Sequence, residues 1–257
     1  METQKQKKKK KRKLSPTSAM HYFKLIIRSL MLLAALVIYI DNRLHDGGEL
    51  YDRFREVPGL LQVIWLMFMM EMILRMFPAG IESMGCQKLF KKNYIPNEKG
   101  SGKPVLLSGK MTLFVAFIWI LLNGAIGALY YLGWIDEGIL FLVSLAFSVC
   151  DMICILFFCP FQTWFMKNRC CTTCRIYNWD FAMMFTPLVF TDHFFTRSLL
   201  VVALLVLIQW EVTVYLHPER FSEETNKCIS CANCTEKLCH HKKQLRSFWK
   251  KAKDKLL

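Results

Sequence analysis

Residues 181–216 read FAMMFTPLVFTDHFFTRSLLVVALLVLIQWEVTVYL, and the number of times this stretch crosses a bilayer decides the fold. As one continuous helix it would be about 54 Å long, against a hydrocarbon core of roughly 30 Å. It also carries Pro187, Asp192, His193 and Arg197. Proline removes a helix hydrogen bond, and charged side chains are costly inside lipid. The stretch therefore divides into two passes, 181–195 and 198–216, with the polar residues near the turn. The first pass is short, and a re-entrant segment is the alternative reading.

Working outward, the chain of 257 residues is 54% hydrophobic and 21% charged, two figures that coexist only if the charges are segregated. Four further apolar runs, 24–40, 60–77, 111–132 and 138–158, alternate with short polar loops. The loop after the first run is rich in carboxylates (Asp46, Glu49, Asp52, Glu56) and closes at Pro58-Gly59; the second run stops at Pro78. Segment 79–110 is a basic loop, and Gly133 to Glu137 reads as a tight acidic hairpin. The first run continues for a full bilayer width with no small-residue cleavage site after it, so it is expected to be a span and not a cleaved signal peptide. The expectation is an all-α membrane protein of about six transmembrane helices. A polybasic N-terminus (1–23) precedes the membrane domain (24–216), and a cysteine-rich basic tail (217–257) follows it.

Charge sets the orientation. In the six-span arrangement one face carries 28 lysines and arginines, counting Lys24 at the edge of the first span, and the other carries 4. Basic loops stay in the cytoplasm, so both termini are expected there, in the cell (cytoplasmic) membrane. The net charge of +14 sits largely in the two termini, beside spans, where it is explained by topology and by anionic lipid headgroups. A nucleic-acid partner is not expected.

Seven of the eleven cysteines lie in two polar segments on that cytoplasmic face. One holds Cys170, Cys171 and Cys174. The other holds Cys228, Cys231, Cys234 and Cys239, followed by His240 and His241. Cytosolic thiols stay reduced, so metal ligation is favoured over a disulfide framework. Three cysteines at two-residue gaps point several sulfurs at one centre, which suits an iron–sulfur cluster or a zinc ion, with the two histidines as further ligands. The tail run resembles the bacterial ferredoxin motif C-x2-C-x2-C-x3-C-P over about a dozen residues, with a last gap one residue longer and no proline after Cys239. That resemblance implies an iron–sulfur cluster. Cys159-Pro160 is a further candidate: Cys154-x4-Cys159-Pro160 is similar to the Cys-Pro motifs at helix ends of polytopic quinol-oxidising iron–sulfur proteins, though that family spaces its cysteines C-x3-C-P. Cys86, Cys150 and Cys154 read as packing residues.

Within the spans, Glu71 and Arg75 are four apart and can share a helix face. Asp151 and Glu211 also lie toward the cytoplasmic half. Buried carboxylates mark a proton path or a cation site, or else ion pairs with residues such as Arg28 and Arg75. Five methionines of the second run (Met67, Met69, Met70, Met72, Met76) offer soft thioethers but spread around the helix. His193 is the one histidine placed to touch a haem or quinone at the far face, and no second axial ligand faces it. No nucleophile–base set, phosphate loop or dinucleotide fingerprint is present.

The expected function is an electron-transfer subunit of a larger redox complex, carrying a cytoplasmic iron–sulfur centre. The alternatives are a membrane scaffold or assembly factor stapled by zinc, and a transporter of a soft metal ion.

Overall fold

A computed structural model describes residues 16–45, 59–78, 84–98, 100, 102–106, 109–167, 171 and 173–230. The described chain is helical, and a single antiparallel bridge between Pro96 and Asn226 stands in place of any sheet. Helix α1 is Pro16–His45, α2 Leu60–Met76, α3 Gly109–Tyr131, α4 Glu137–Leu156, α5 Asp180–Phe185 and α6 Phe194–Leu216.

Four of these helices are long and apolar enough to cross a membrane: Ser18–Leu44 within α1, α3, α4 and α6, with mean hydropathies of 2.2, 2.1, 2.6 and 2.2. The shortest has 20 residues, or about 30 Å at 1.5 Å per residue. Their outer faces are apolar and bare. Leu113 is 72% exposed, Ile120 68% and Val37 65%. Apolar faces of this size are stable where lipid, and not water, covers them. The protein is a multi-pass membrane protein.

Helix boundaries follow local chemistry. Gly133, at φ +74°, ends α3 as a left-handed cap. Its N–H donates to the Tyr130 carbonyl at 2.9 Å, and the Trp134 N–H donates to the Leu129 carbonyl at 3.0 Å, which is the Schellman pattern. Three residues later the Asp136 side chain accepts from the Ile139 N–H at 2.9 Å and caps α4. The expected hairpin is therefore a C-cap joined directly to an N-cap. Helix α2 ends at an extended Phe77, the conformation a following proline imposes.

Two expectations are corrected. The first helix runs from 16 to 45, well beyond 24–40 at both ends. Segment 181–195 is not one helix. The six residues of α5 pass into 3-10 turns over Thr186–Phe190 and then into extended backbone before α6 begins at Phe194. Pro187 sits at the start of the 3-10 stretch, where its missing N–H ends the α-helical ladder. Segment 180–193 nevertheless travels the length of α4 in reverse. The Ser144 hydroxyl donates to the Met184 carbonyl at 2.8 Å, and His193 meets Glu137 at 2.8 Å.

The other elements alternate in the same way. Helix α1 is antiparallel to α4, with Arg28 beside Asp151 and Tyr39 bonded to Asp136. Helices α3 and α4 form the hairpin, with Trp119 on Phe147 and Tyr130 bonded to Glu137. Helix α2 runs parallel to α6, through Trp65 to Ser198 at 2.8 Å and Gln209 to the Met76 carbonyl at 2.9 Å. The core where they meet holds Ala35, Ile64, Met72, Leu140 and Val206, and Phe68 packs edge-on against Phe185.

At the end of the bundle where α2 and α6 finish, the loop before α3 and the chain after α6 form a cap. The Asn97 N–H donates to the Thr225 carbonyl and the Lys227 N–H to the Ile95 carbonyl, at 3.0 and 2.9 Å. Buried Asn226 donates to the Arg220 and Lys88 carbonyls. Phe90 packs edge-on against Trp210 and anchors the cap to α6.

Candidate functional site

Helix α1 brings two cations into the apolar interior, and they meet carboxylates from two other helices, α2 and α4. Arg28, only 2% exposed, donates to Glu71 at 2.5 Å, to Asp151 at 3.2 Å and to the Ser148 carbonyl at 3.0 Å. Lys24 adds a second contact to Glu71 at 3.4 Å. One layer across, Arg75 forks onto both oxygens of Asp180, at 3.0 and 2.9 Å, with its guanidinium 4.9 Å from the Phe181 ring centre. The i,i+4 pairing of Glu71 with Arg75 expected from sequence gives way to pairings between elements. Near the end of α6, Glu211 accepts from both arms of Arg175 and from the Trp179 indole, at 2.6 Å for the indole.

The three carboxylates expected within spans are thus each held by arginine: Glu71 and Asp151 by Arg28, Glu211 by Arg175. Such pairs tie elements together, because removing one partner leaves a charge in a medium that cannot solvate it.

The described cysteines of the loop lie beside this layer. Cys171 and Cys174 line a cavity of about 270 Å³. The last turns of α4, residues 159–162, Cys171, Cys174, Ile176, Tyr177 and the start of α5 line it, with Trp119 and Phe147 as aromatic walls. Cys150, Cys154 and Cys159 line the same cavity, together with Asp151, Asp180, Met183 and Met184. The Cys154 thiol is hydrogen-bonded to Cys159. Gln162 bridges the two sides: its N–H donates to the Cys159 sulfur at 3.4 Å, and its side-chain oxygen accepts from Cys171 at 3.3 Å. Cys150 and Cys154, expected as packing residues, are therefore cavity residues. Their spacing, i and i+4 on one helix face with Cys159 one turn beyond, was the available signal. Cys86 is fully buried in the core, as expected of a packing residue.

Cys228 sits in the cap, its thiol donating to the Asn93 carbonyl at 2.9 Å, and it is not part of the cavity lining. Cys170, Cys231, Cys234, Cys239, His240 and His241 fall outside the described residues. Among the described residues, no three histidine, cysteine or carboxylate side chains converge closely enough to hold one metal ion. His193 is engaged with Glu137. No protein-family model, curated protein or solved structure matches this chain.

Proposed function

We propose that this chain is a six-pass protein of the cell membrane, with both termini in the cytoplasm. Its cytoplasmic cysteines hold an iron–sulfur centre, and it passes electrons within a larger redox complex. The observation that carries the reading is positional. Cys171 and Cys174, beside the end of α4, and Cys228, beyond the end of α6, all lie at one end of the bundle. The Arg175–Glu211 pair joins their two neighbourhoods. A centre shared between loop and tail requires that placement. The six passes are supported by the alternating directions of α1, α2, α3, α4, segment 180–193 and α6, and by the excess of basic residues on the face carrying both termini. Anionic lipid is the proposed contact of those basic segments.

The ligands proposed for the centre are Cys228, Cys231, Cys234 and Cys239, with Cys170, Cys171 and Cys174 as a second or shared set. A ferredoxin-type cluster takes cysteine thiolates and supplies one-electron chemistry. The ordered cap favours one second reading, a scaffold whose tail is stapled to the loop before α3 by zinc, since Cys228 already bonds to that loop.

Anaerobic purification in detergent, with a visible spectrum and analysis of iron, zinc and acid-labile sulfide, separates the two. Iron and sulfide in equal amounts, with a visible band that dithionite bleaches, is the expected result. Zinc with a featureless visible spectrum leaves the scaffold. Neither metal overturns both.

A further inference from the structure

The cavity takes in Cys171 and Cys174 of the loop set together with Cys150, Cys154 and Cys159, and Cys228 of the tail does not line it. Its donor set is soft: five thiols and the two thioethers of Met183 and Met184. Its only carboxylates are engaged by guanidinium groups, Asp151 by Arg28 and Asp180 by Arg75. A hard cation such as Mg²⁺ or Ca²⁺ demands several oxygen ligands, and the two carboxylates of this lining are already paired with guanidinium groups. Zinc in a structural site and an iron–sulfur cubane each take four protein ligands, and no three converge among the described residues. What the cavity does offer is one pair of thiols already in contact, Cys154 with Cys159.

A pair of thiolates in an apolar chamber suits a d¹⁰ monovalent ion, which accepts two soft ligands in a near-linear arrangement and gains little from water. We propose that the cavity binds one copper(I) ion between the sulfurs of Cys154 and Cys159. Binding replaces two S–H protons by two Cu–S bonds, with the protons leaving to solvent and no change of oxidation state. The Gln162 N–H, donating to the Cys159 sulfur, orients that ligand. Cys171, held by the Gln162 side chain on the opposite wall, is the third thiol available to an incoming or departing ion. The cavity volume of about 270 Å³ leaves room for that exchange. The site needs neither the tail cysteines nor the electron-transfer reading.

The test is an anaerobic titration of the detergent-purified full chain with copper(I), against a chromophoric copper(I) chelator. It is run on the wild type, on C154S/C159S, and on C228S/C231S/C234S/C239S. The expected result is one equivalent withheld from the chelator by the wild type, kept by the tail variant and lost by the cavity variant. Loss in the tail variant with retention in the cavity variant overturns the proposal, as does a wild type that yields all copper to the chelator. Should C154S/C159S fail to elute as a folded species, the wild type alone still decides. Maleimide alkylation read by mass spectrometry must show Cys154 and Cys159 protected by copper(I). Equal alkylation with and without the ion overturns the site.

Discussion

Replacing Arg28 by methionine keeps most of the aliphatic stem and removes the guanidinium at the centre of the charge layer. Arg28 carries three contacts, to Glu71, Asp151 and the Ser148 carbonyl. Of the two carboxylates, Glu71 keeps Lys24 at 3.4 Å. Asp151 loses the guanidinium it pairs with at 3.2 Å while remaining among buried neighbours. Breaking a buried ion pair by removing one partner costs about 3–5 kcal/mol. The surviving Lys24 contact places R28M toward the lower half of that range, an unfolding constant raised by about two decades or slightly more. The assay is reversible unfolding of the detergent-solubilised protein by increasing SDS, followed by tryptophan fluorescence. The argument also demands a rescue. R28M/E71Q/D151N removes the stranded charges, and such replacement of a whole buried network is often near neutral, so the triple variant is expected to recover most of the loss. An R28M protein as stable as wild type refutes the reasoning, and so does a triple variant that is less stable than R28M.

Two glycines on one helix give a paired prediction. A Cβ at Gly127 would lie 2.3 Å from Cζ of Phe190, whereas a Cβ at Gly124 meets nothing within 4 Å. G127A is expected to lose about 1–3 kcal/mol by overpacking against segment 180–193, while G124A stays neutral or gains slightly from helix propensity. Equal unfolding curves for the two would show that segment 180–193 does not pack where it is placed. In the cap, a Cβ at Gly100 would sit 1.8 Å from the backbone oxygen of Glu224. G100A must therefore open the contact between loop and tail, with a loss of about 1–3 kcal/mol that limited trypsin digestion reads as faster cleavage at Lys227, whose N–H bonds to Ile95 in the cap. Unchanged digestion would remove the cap from the account.

A good part of the architecture is legible in residue order. Hydrophobic runs of bilayer length, Gly133 and Asp136 as consecutive caps, and Pro78 and Pro187 as helix breakers are local signals acting within one turn of chain. They place α2, α3 and α4 nearly at their observed bounds. By composition, residues 16–23 belong to the polybasic N-terminus and the apolar run begins at 24, whereas helix α1 begins at Pro16. In the fold Lys24 and Arg28 lie inside, since carboxylates on other helices neutralise them, and no local pattern reports a partner 43 or 123 residues away.

The candidate site divides the same way. Spacing alone marks Cys228, Cys231, Cys234 and Cys239 as a ligand run, because two-residue gaps are a property of the chain. That Cys150, Cys154, Cys159, Cys171 and Cys174 line one cavity was decided by tertiary structure, which sets Cys171 and Cys174 against the end of α4. Segment 180–193 is the clearest case. Its composition is apolar enough to suggest a span and too short to be a helical one. Only the reverse path along α4, fastened at Ser144 and Glu137, settles it as a broken element, because a bundle can satisfy there the backbone groups that lipid would leave bare.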